Sequence, residues 1–359
     1  MNTERNNQAS AISRRDFIGG TAVATAGLVA GAHPLHGAES PAKALNFNPD
    51  MEYRRLGKTG LQISAICLGG HWKRVDTVVP TGGGIDNPDF QKNRADVVSR
   101  CIDRGINYID ACTGSEVMVY GRALKGRREK MHLGFSWFEE EMRNGDFRTT
   151  QKLLGTLEKG MKQAGLDYVD LWRITMHEQS GQHTPAEVEQ MMAALQKAKE
   201  QGKARFTGFS SHDRPHIKQM IETYPNVIDV VVTPYTARTK VLPTDSVFEA
   251  IKKHDIGVFG IKPFASNSLF KGNSSTASPT AQEDSRIARL AIRNILSNPA
   301  ITAPIPGLIN LEQVDNATLA VKERRELDKQ ERADLEQAGA EMWARLPDHY
   351  CWLRDFEYV

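Results

Sequence analysis

The stretch GINYIDACTGSEVMVYGRALKGRREK, residues 105–130, contains the unit from which the fold is read. It opens as a buried strand ending on an acid, Asp110, and closes as a helix. A strand that is apolar on both faces belongs in a sheet covered on both sides, which parallel strands with helical crossovers provide. The same alternation runs from Leu61 onward. ISAICLGG, INYIDAC, MHLGFSW, YVDLWRIT, RFTGFSS, VIDVVVTPY, IGVFGIKPF and AITAPIPG read as strands bounded by Gly, Pro or polar residues. Between them RADVVSRCIDRG, TTQKLLGTLEKGMKQAG, AEVEQMMAALQKAKEQG and DSVFEAIKKHD are helical, with basic residues in the last turn and Gly after several. About eight strand–helix units in 359 residues predict an α/β fold, a (β/α)8 TIM barrel. A doubly wound open sheet is the alternative, but no G-x-G-x-x-G follows any strand. Long Gly- or Ser-rich insertions near 71–93 and 266–285 follow the first and seventh strands, at the end where such barrels carry their sites.

Charge narrows the function. Basic and acidic residues nearly cancel, 46 against 44, so there is no basic excess to make a nucleic-acid surface. The N-terminus is distinct. In SRRDFIGGTAVATAGLVAGAHPLHGAES, the pair Arg14-Arg15 and Phe17 precede a weakly apolar run of small residues. Cleavage fits near Ala30 to Ala32 or near Ala38. The run is too short and small-sided for a stable membrane span. It resembles a twin-arginine (Tat) export signal, an address read by the export machinery, and implies a periplasmic or otherwise exported protein. A disordered basic tail is the alternative. Residues 1–45 are therefore set apart as signal and linker, and 46–359 as the barrel. Four widely spaced cysteines, Cys67, Cys101, Cys112 and Cys351, offer no metal spacing and are expected to be mostly free and buried.

MEYRRLGKTGLQISAICLGG, GINYID, GRALKGRREK, LDYVDLWRI, GKARFTGFSSH and ILSNPAITAPIPGLINLEQVDNA occur in order from about Met51 to about Leu319. Together they resemble the aldo/keto reductase family. That resemblance implies a barrel binding a nicotinamide dinucleotide across its C-terminal rim and moving hydride to or from a carbonyl carbon. The family protonates the oxygen with a tyrosine, tuned by a lysine and an aspartate, while a histidine orients the substrate. Here Asp110 stands where the aspartate belongs, but DACTGSE runs straight to Ser115-Glu116, so the tyrosine is missing. Ser136 occupies the lysine's place and Thr175 the histidine's. Tyr120 precedes Gly121 at a position the family fills with an apolar helix residue, which makes it a packing residue.

Residues two apart on a strand share a face, so Arg173, Thr175 and His177 are expected to point together into the barrel mouth. By the same count Asp110 and Cys112 share an inward face, as do His132, Gly134 and Ser136. An inward arginine needs a partner, and Asp110 is the natural one, leaving Asp110 either catalytic or structural. The candidate catalytic residues are therefore Asp110, Arg173 and His177. His71 and Trp72 follow the first strand, where substrate sits in such barrels. Nothing nearby in sequence lowers the Cys112 pKa as a nucleophile would need.

The resemblance also implies the cofactor set. Ser210 and Ser211 match the pair holding the nicotinamide amide; Lys262 and Phe264 open the loop around the pyrophosphate; Gly307, Asn310, Gln313 and Asn316 match the adenosine end. Val232 replaces a glutamine, and no Lys or Arg closely follows Gly307 to meet a 2′-phosphate, so NAD stands beside NADP. DHYCWLRDFEYV resembles the end of an iron–sulfur branch of the family, but with Cys351 alone no iron–sulfur cluster and no metal are expected. The chain thus reads as an exported NAD(P)-dependent oxidoreductase with an altered acid site, acting on a small carbonyl, alcohol or sugar-like substrate. The alternatives are a catalytically degenerate barrel that binds a dinucleotide or sugar-like ligand, and a structural partner of another envelope protein.

Overall fold

The computed structural model describes residues 44–79 and 84–359, so the expected export signal lies outside the described residues. β1 (Tyr53–Arg55) and β2 (Gln62–Ser64) form an antiparallel hairpin. Eight parallel strands follow in one sheet, neighbours in chain order: β3 (Leu68–Gly69), β4 (Tyr108–Ala111), β5 (His132–Phe135), β6 (Val169–Thr175), β7 (Ala204–Ser210), β8 (Val230–Pro234), β9 (Gly257–Ile261) and β10 (Ala303–Pro304). Main-chain bonds from Cys67 N to the Pro304 carbonyl (3.2 Å) and from Gly69 N to the Pro306 carbonyl (2.8 Å) join the edge strands and close the barrel. Closure removes the unpaired edges that an open sheet leaves exposed.

The helices lie in the crossovers: α1 (Pro88–Asp103), α2 (Gly114–Ala123), α3 (Thr150–Ala164), α4 (Pro185–Glu200), α5 (Arg214–Thr223), α6 (Val247–Lys253), α7 (Ala281–Leu296) and α8 (Leu311–Lys322), with α9 (Lys329–Ala344) after them. Local sequence sets their starts. Asn87 caps α1 ahead of Pro88, and Thr184 with Glu187 makes a reciprocal capping box on α4. No helix among the described residues is long and apolar enough to cross a membrane.

One expected strand divides. ISAICLGG turns out to supply both β2 and β3, because Gln62–Ser64 pairs back onto β1 and only Leu68–Gly69 enters the barrel. The hairpin plugs the bottom: Leu56 and Ile63 pack with Tyr108, Leu171, Val230 and Phe259 in a buried cluster inside the sheet. Tyr108 stacks on Phe259 at 4.3 Å. This filled interior closes the barrel's centre and leaves the C-terminal mouth open as the place for a site. At the other end Asp170 accepts from Arg128 and Arg205 (both 2.7 Å) and from Leu133 N (2.9 Å). Burial alone would raise its carboxyl; the His132 hydrogen bond and the Arg128 charge outweigh that and hold it well below the usual range.

After α9 a run of 3-10 turns, Asp348–Glu357, crosses the mouth. It is pinned beyond that point: Val359 N donates to Lys240 O (2.9 Å), and the Val359 carbonyl accepts from Leu242 N (2.6 Å) and Ser246 Oγ (2.9 Å).

Candidate active site

The mouth holds a cavity of about 450 Å³. Asp110, Cys112, Arg173, Ser210, Lys262 and His71 line it, from the ends of separate strands and the loops that follow them. At its floor Arg173 Nε donates to Asp110 Oδ1 (3.0 Å), Nη2 bonds Asp110 Oδ2, and Nη1 donates to Thr175 Oγ1 (3.1 Å). Both partners are nearly sealed from solvent, 3% and 4% exposed. Burial works against the guanidinium's charge, and the Asp110 carboxylate outweighs it, so Arg173 is held firmly protonated. Gly134 makes the pair possible: a Cβ there would lie 2.0 Å from the Tyr108 hydroxyl and 2.9 Å from Asp110 Oδ1.

Beside this pair, Ser136 Oγ donates to Glu141 Oε2 (2.5 Å) and sits 2.8 Å from Thr175 Oγ1. Glu141 also accepts from Thr175 N (2.7 Å) and Trp137 N (3.0 Å). Burial pushes its carboxyl up, against these hydrogen bonds. A second buried acid, Glu116, accepts from His71 N (2.6 Å), His71 Nδ1 (2.7 Å) and Cys112 N (2.7 Å). The ligand-type atoms of His71, Cys112 and Glu116 fall within 4.8 Å of one another, a grouping invisible in the cysteine spacing. Both Glu116 oxygens are already taken by these donors.

The remaining predicted residues distribute unevenly. His177 stands apart: its Nδ1 accepts from Gln179 N (3.2 Å), its side chain is half-exposed, and it is not among the lining residues. Ser210 lines the cavity, whereas Ser211 is turned away, its Oγ engaged by Ser180 Oγ (2.6 Å) and Asp213 N (3.0 Å). Tyr120 is fully buried, donates to the Gly69 carbonyl (2.7 Å) and takes no part in the cavity, as packing predicts. Cys67 and Cys101 are buried free thiols, while Cys112 and Cys351 are partly exposed.

Lys262 is the cation one expects of a phosphate loop. Its ammonium has no carboxylate or hydrogen-bond partner among the described residues and lies 5.3 Å from the Tyr350 ring centre. Lys262, Ala265, Ser266 and Asn267 all have positive φ, curling the loop into a tight turn at the cavity wall, with Ala265 N bonded back to the Lys262 carbonyl (2.8 Å). Lys73 Nζ reaches Ser266 Oγ (2.5 Å) and the Tyr350 hydroxyl (2.6 Å). Burial would raise the Tyr350 phenol; the charges of Lys262 and Lys73 outweigh it and bring it below its ordinary value. A smaller cavity of about 120 Å³ adjoins, with Lys73, Phe264, Asn267 and Gly307 lining both. Asn310, Gln313 and Asn316 line the smaller one. Asn310 caps α8 through Gln313 N (2.8 Å), and Asn316 is fixed by Arg289 (2.7 Å). A cationic middle suited to phosphate, between two pockets, fits an extended dinucleotide.

The aldo/keto reductase family model matches residues 81–340. The chain belongs to that family. It is 22% identical over 303 residues to an L-galactose dehydrogenase of Arabidopsis thaliana, covering 77% of this chain and 90% of that protein. It is 24% identical over 256 residues to an L-glyceraldehyde 3-phosphate reductase of Escherichia coli O157:H7, covering 67% and 68%. Among solved structures, aldo-keto reductase AKR11C1 of Bacillus halodurans, holo form, superposes with a TM-score of 0.59 at 19% identity, covering 80% and 96%. An aldo/keto reductase of Klebsiella pneumoniae in complex with NADP and acetate gives 0.60 at 17% identity, covering 80% and 94%.

Within this aldo/keto reductase, Asp110 keeps a cationic partner, but the cation comes from β6 as Arg173, while Ser136, just past the end of β5, stands at the place the family resemblance gives to lysine. Sequence reasoning missed Glu116, Glu141, and Tyr350 and Trp352 of the tail. Trp352 stacks on His212 at 4.1 Å over the cavity. Only the aromatic richness of residues 350–358 hinted at such a cover.

Proposed function

We propose that this chain is a nicotinamide-dependent oxidoreductase that interconverts a small carbonyl compound and its alcohol in the barrel mouth. The observation that carries it is the unpaired Lys262 in its curled loop, placed between a polar mouth and a second pocket. When bound, the cofactor supplies or accepts hydride at the carbonyl carbon. The chain's own part is to hold charge and orientation. Negative charge builds on the substrate oxygen as hydride arrives, and Arg173 is a fixed cation at the floor with N–H groups not committed to Asp110 or Thr175. Its position costs no reorganisation, because Asp110 already holds it.

NAD is the preferred form in this reading. The charged residues of the second pocket are Asp284, Glu312 and Lys73, a poor surroundings for a ribose 2′-phosphate. A polyhydroxylated, sugar-like carbonyl suits the polar lining, and the names of the L-galactose and L-glyceraldehyde 3-phosphate relatives support that class. Fluorescence titration of the mature protein with NADH and NADPH tests the reading, with Trp352 as reporter at the mouth. Saturable binding with NADH the tighter is expected; no binding of either at millimolar concentration ends it.

Export through the twin-arginine route is part of the same proposal, supported by Arg14, Arg15 and Phe17 ahead of the small-residue run. Arg14→Lys with Arg15→Lys is expected to retain the protein in the cytoplasm on cell fractionation. Unchanged partitioning would remove the export assignment and leave the enzyme assignment standing.

A further inference from the structure

If carbonyl reduction takes place in this mouth, the substrate oxygen also needs a proton, and Ser136 and Thr175 replace two of the family's acid-site residues while its tyrosine is missing. We infer, resting on the proposed oxidoreductase reading, that His71 held by Glu116 is the group that gives this proton in reduction and takes it back in oxidation. His71 lies just past β3, with its backbone in the left-handed region (φ 32), uncommon for a residue with a Cβ. That conformation turns both its N–H and Nδ1 onto Glu116 Oε1. Gly70 permits the approach, since a Cβ there would sit 1.9 Å from Glu116 Oε2. The arrangement is therefore a built one, specified by a glycine and a strained residue on one loop and an acid on α2.

Its electrical logic is consistent. Burial pushes the Glu116 carboxyl up, and the hydrogen bonds from His71 and from the Cys112 backbone outweigh it, so the acid stays ionised. An ionised acceptor fixes the proton on Nδ1, so the proton that exchanges is the one on Nε2. The imidazole is 45% exposed and lines the cavity, so water can restore its proton after each turnover. The other charged groups on the same cavity are Lys73 on its own loop, the Asp110–Arg173 pair on the floor, Lys262, Arg143 and Glu178, with Glu139 beyond β5 acting on it as well.

Cys112 does not compete for the role. Its Sγ is 3.4 Å from Nε2 and 3.7 Å from Nδ1, nearly equidistant, so it lies beside the ring and not in line with either nitrogen's lone pair. Burial, with Glu116 adding, pushes the thiol well above its ordinary value. It is a poor thiolate and a poor nucleophile. In the proposed step His71 gives its Nε2 proton to the substrate oxygen and keeps the one on Nδ1. A bound reduced nicotinamide would supply the hydride that makes the new C–H bond at the carbonyl carbon, the C–O π pair moving to the oxygen that His71 protonates. The products are the alcohol, the oxidised nicotinamide and neutral His71.

The test combines His71→Gln and Glu116→Gln with ¹⁵N NMR of the imidazole, NADH titration and steady-state reduction of short hydroxyaldehydes. The expected result is a kcat lower by about 10²–10⁴-fold in His71→Gln, with NADH affinity within about twofold. A smaller loss is expected in Glu116→Gln, together with disappearance of the Nδ1-protonated tautomer signal. Failure of the wild type to bind NADH overturns the oxidoreductase reading beneath the inference. NADH binding with turnover that His71→Gln leaves intact overturns the inference alone. So does binding without turnover in either direction, or a wild-type imidazole protonated on Nε2 only. Loss of activity on chelation, restored by zinc and abolished in Cys112→Ser, overturns it in favour of a metal centre.

Discussion

Replacing Arg173 with methionine lowers the unfolding free energy by about 3–5 kcal/mol at pH 7, because the Asp110 carboxylate is left buried without its partner. The figure is large because neither group reaches solvent and both Asp110 oxygens are engaged by the one guanidinium. The double variant Asp110→Leu with Arg173→Met is expected to recover most of that loss, since a well-packed apolar pair of similar volume replaces a buried ion pair at little cost. Urea unfolding of the single and double variants reads this out. Equal stability of wild type and Arg173→Met would show that the pair carries no structural weight, and a double variant that is stable yet inactive would separate the structural role from the chemical one. Asp110 was legible as either catalytic or structural from sequence, and this cycle distinguishes the two.

Lys262→Ala weakens NADH binding by about 10–100-fold, the share expected for one charge-assisted phosphate contact worth about 1.5–3 kcal/mol. Burial already pulls the Lys262 ammonium below its ordinary pKa, so an arriving anion restores a partner to a cation that lacks one. Two further consequences follow from the geometry. The salt dependence of binding flattens in the variant, because a charge pair has gone. The Tyr350 phenol rises again, because Lys262 is the largest of the charges holding it down. Titration of NADH at low and high salt, with the tyrosine absorbance followed against pH, checks both. An affinity within twofold of wild type would place the pyrophosphate elsewhere.

The barrel was readable because most strands are apolar on both faces and several helices end in basic residues followed by Gly. All eight strand runs fall where the structure puts strands, apart from ISAICLGG, which divides between hairpin and barrel. Periodicity cannot see that division, since a hairpin strand and a barrel strand carry the same short apolar pattern. The Arg173–Asp110 pair was readable too, because strand parity and the cost of a lone buried charge both point to it. His71 and Glu116 were not paired in advance: they are 45 positions apart, and their contact depends on one left-handed residue and one glycine. Glu141 belongs to a turn after β5, where no repeating pattern fixes direction. His177 shows the limit of parity, which holds along a strand and lapses where β6 ends at Thr175.

The last residues of the sequence decide how the mouth is covered. Tyr350 and Trp352 line the cavity, and the segment that carries them is fixed at its far end, where Val359 pairs with Lys240 and Leu242. The roof is thus a strap fastened beyond β8, and cutting it between Trp352 and Val359 would leave both aromatic side chains without that fastening.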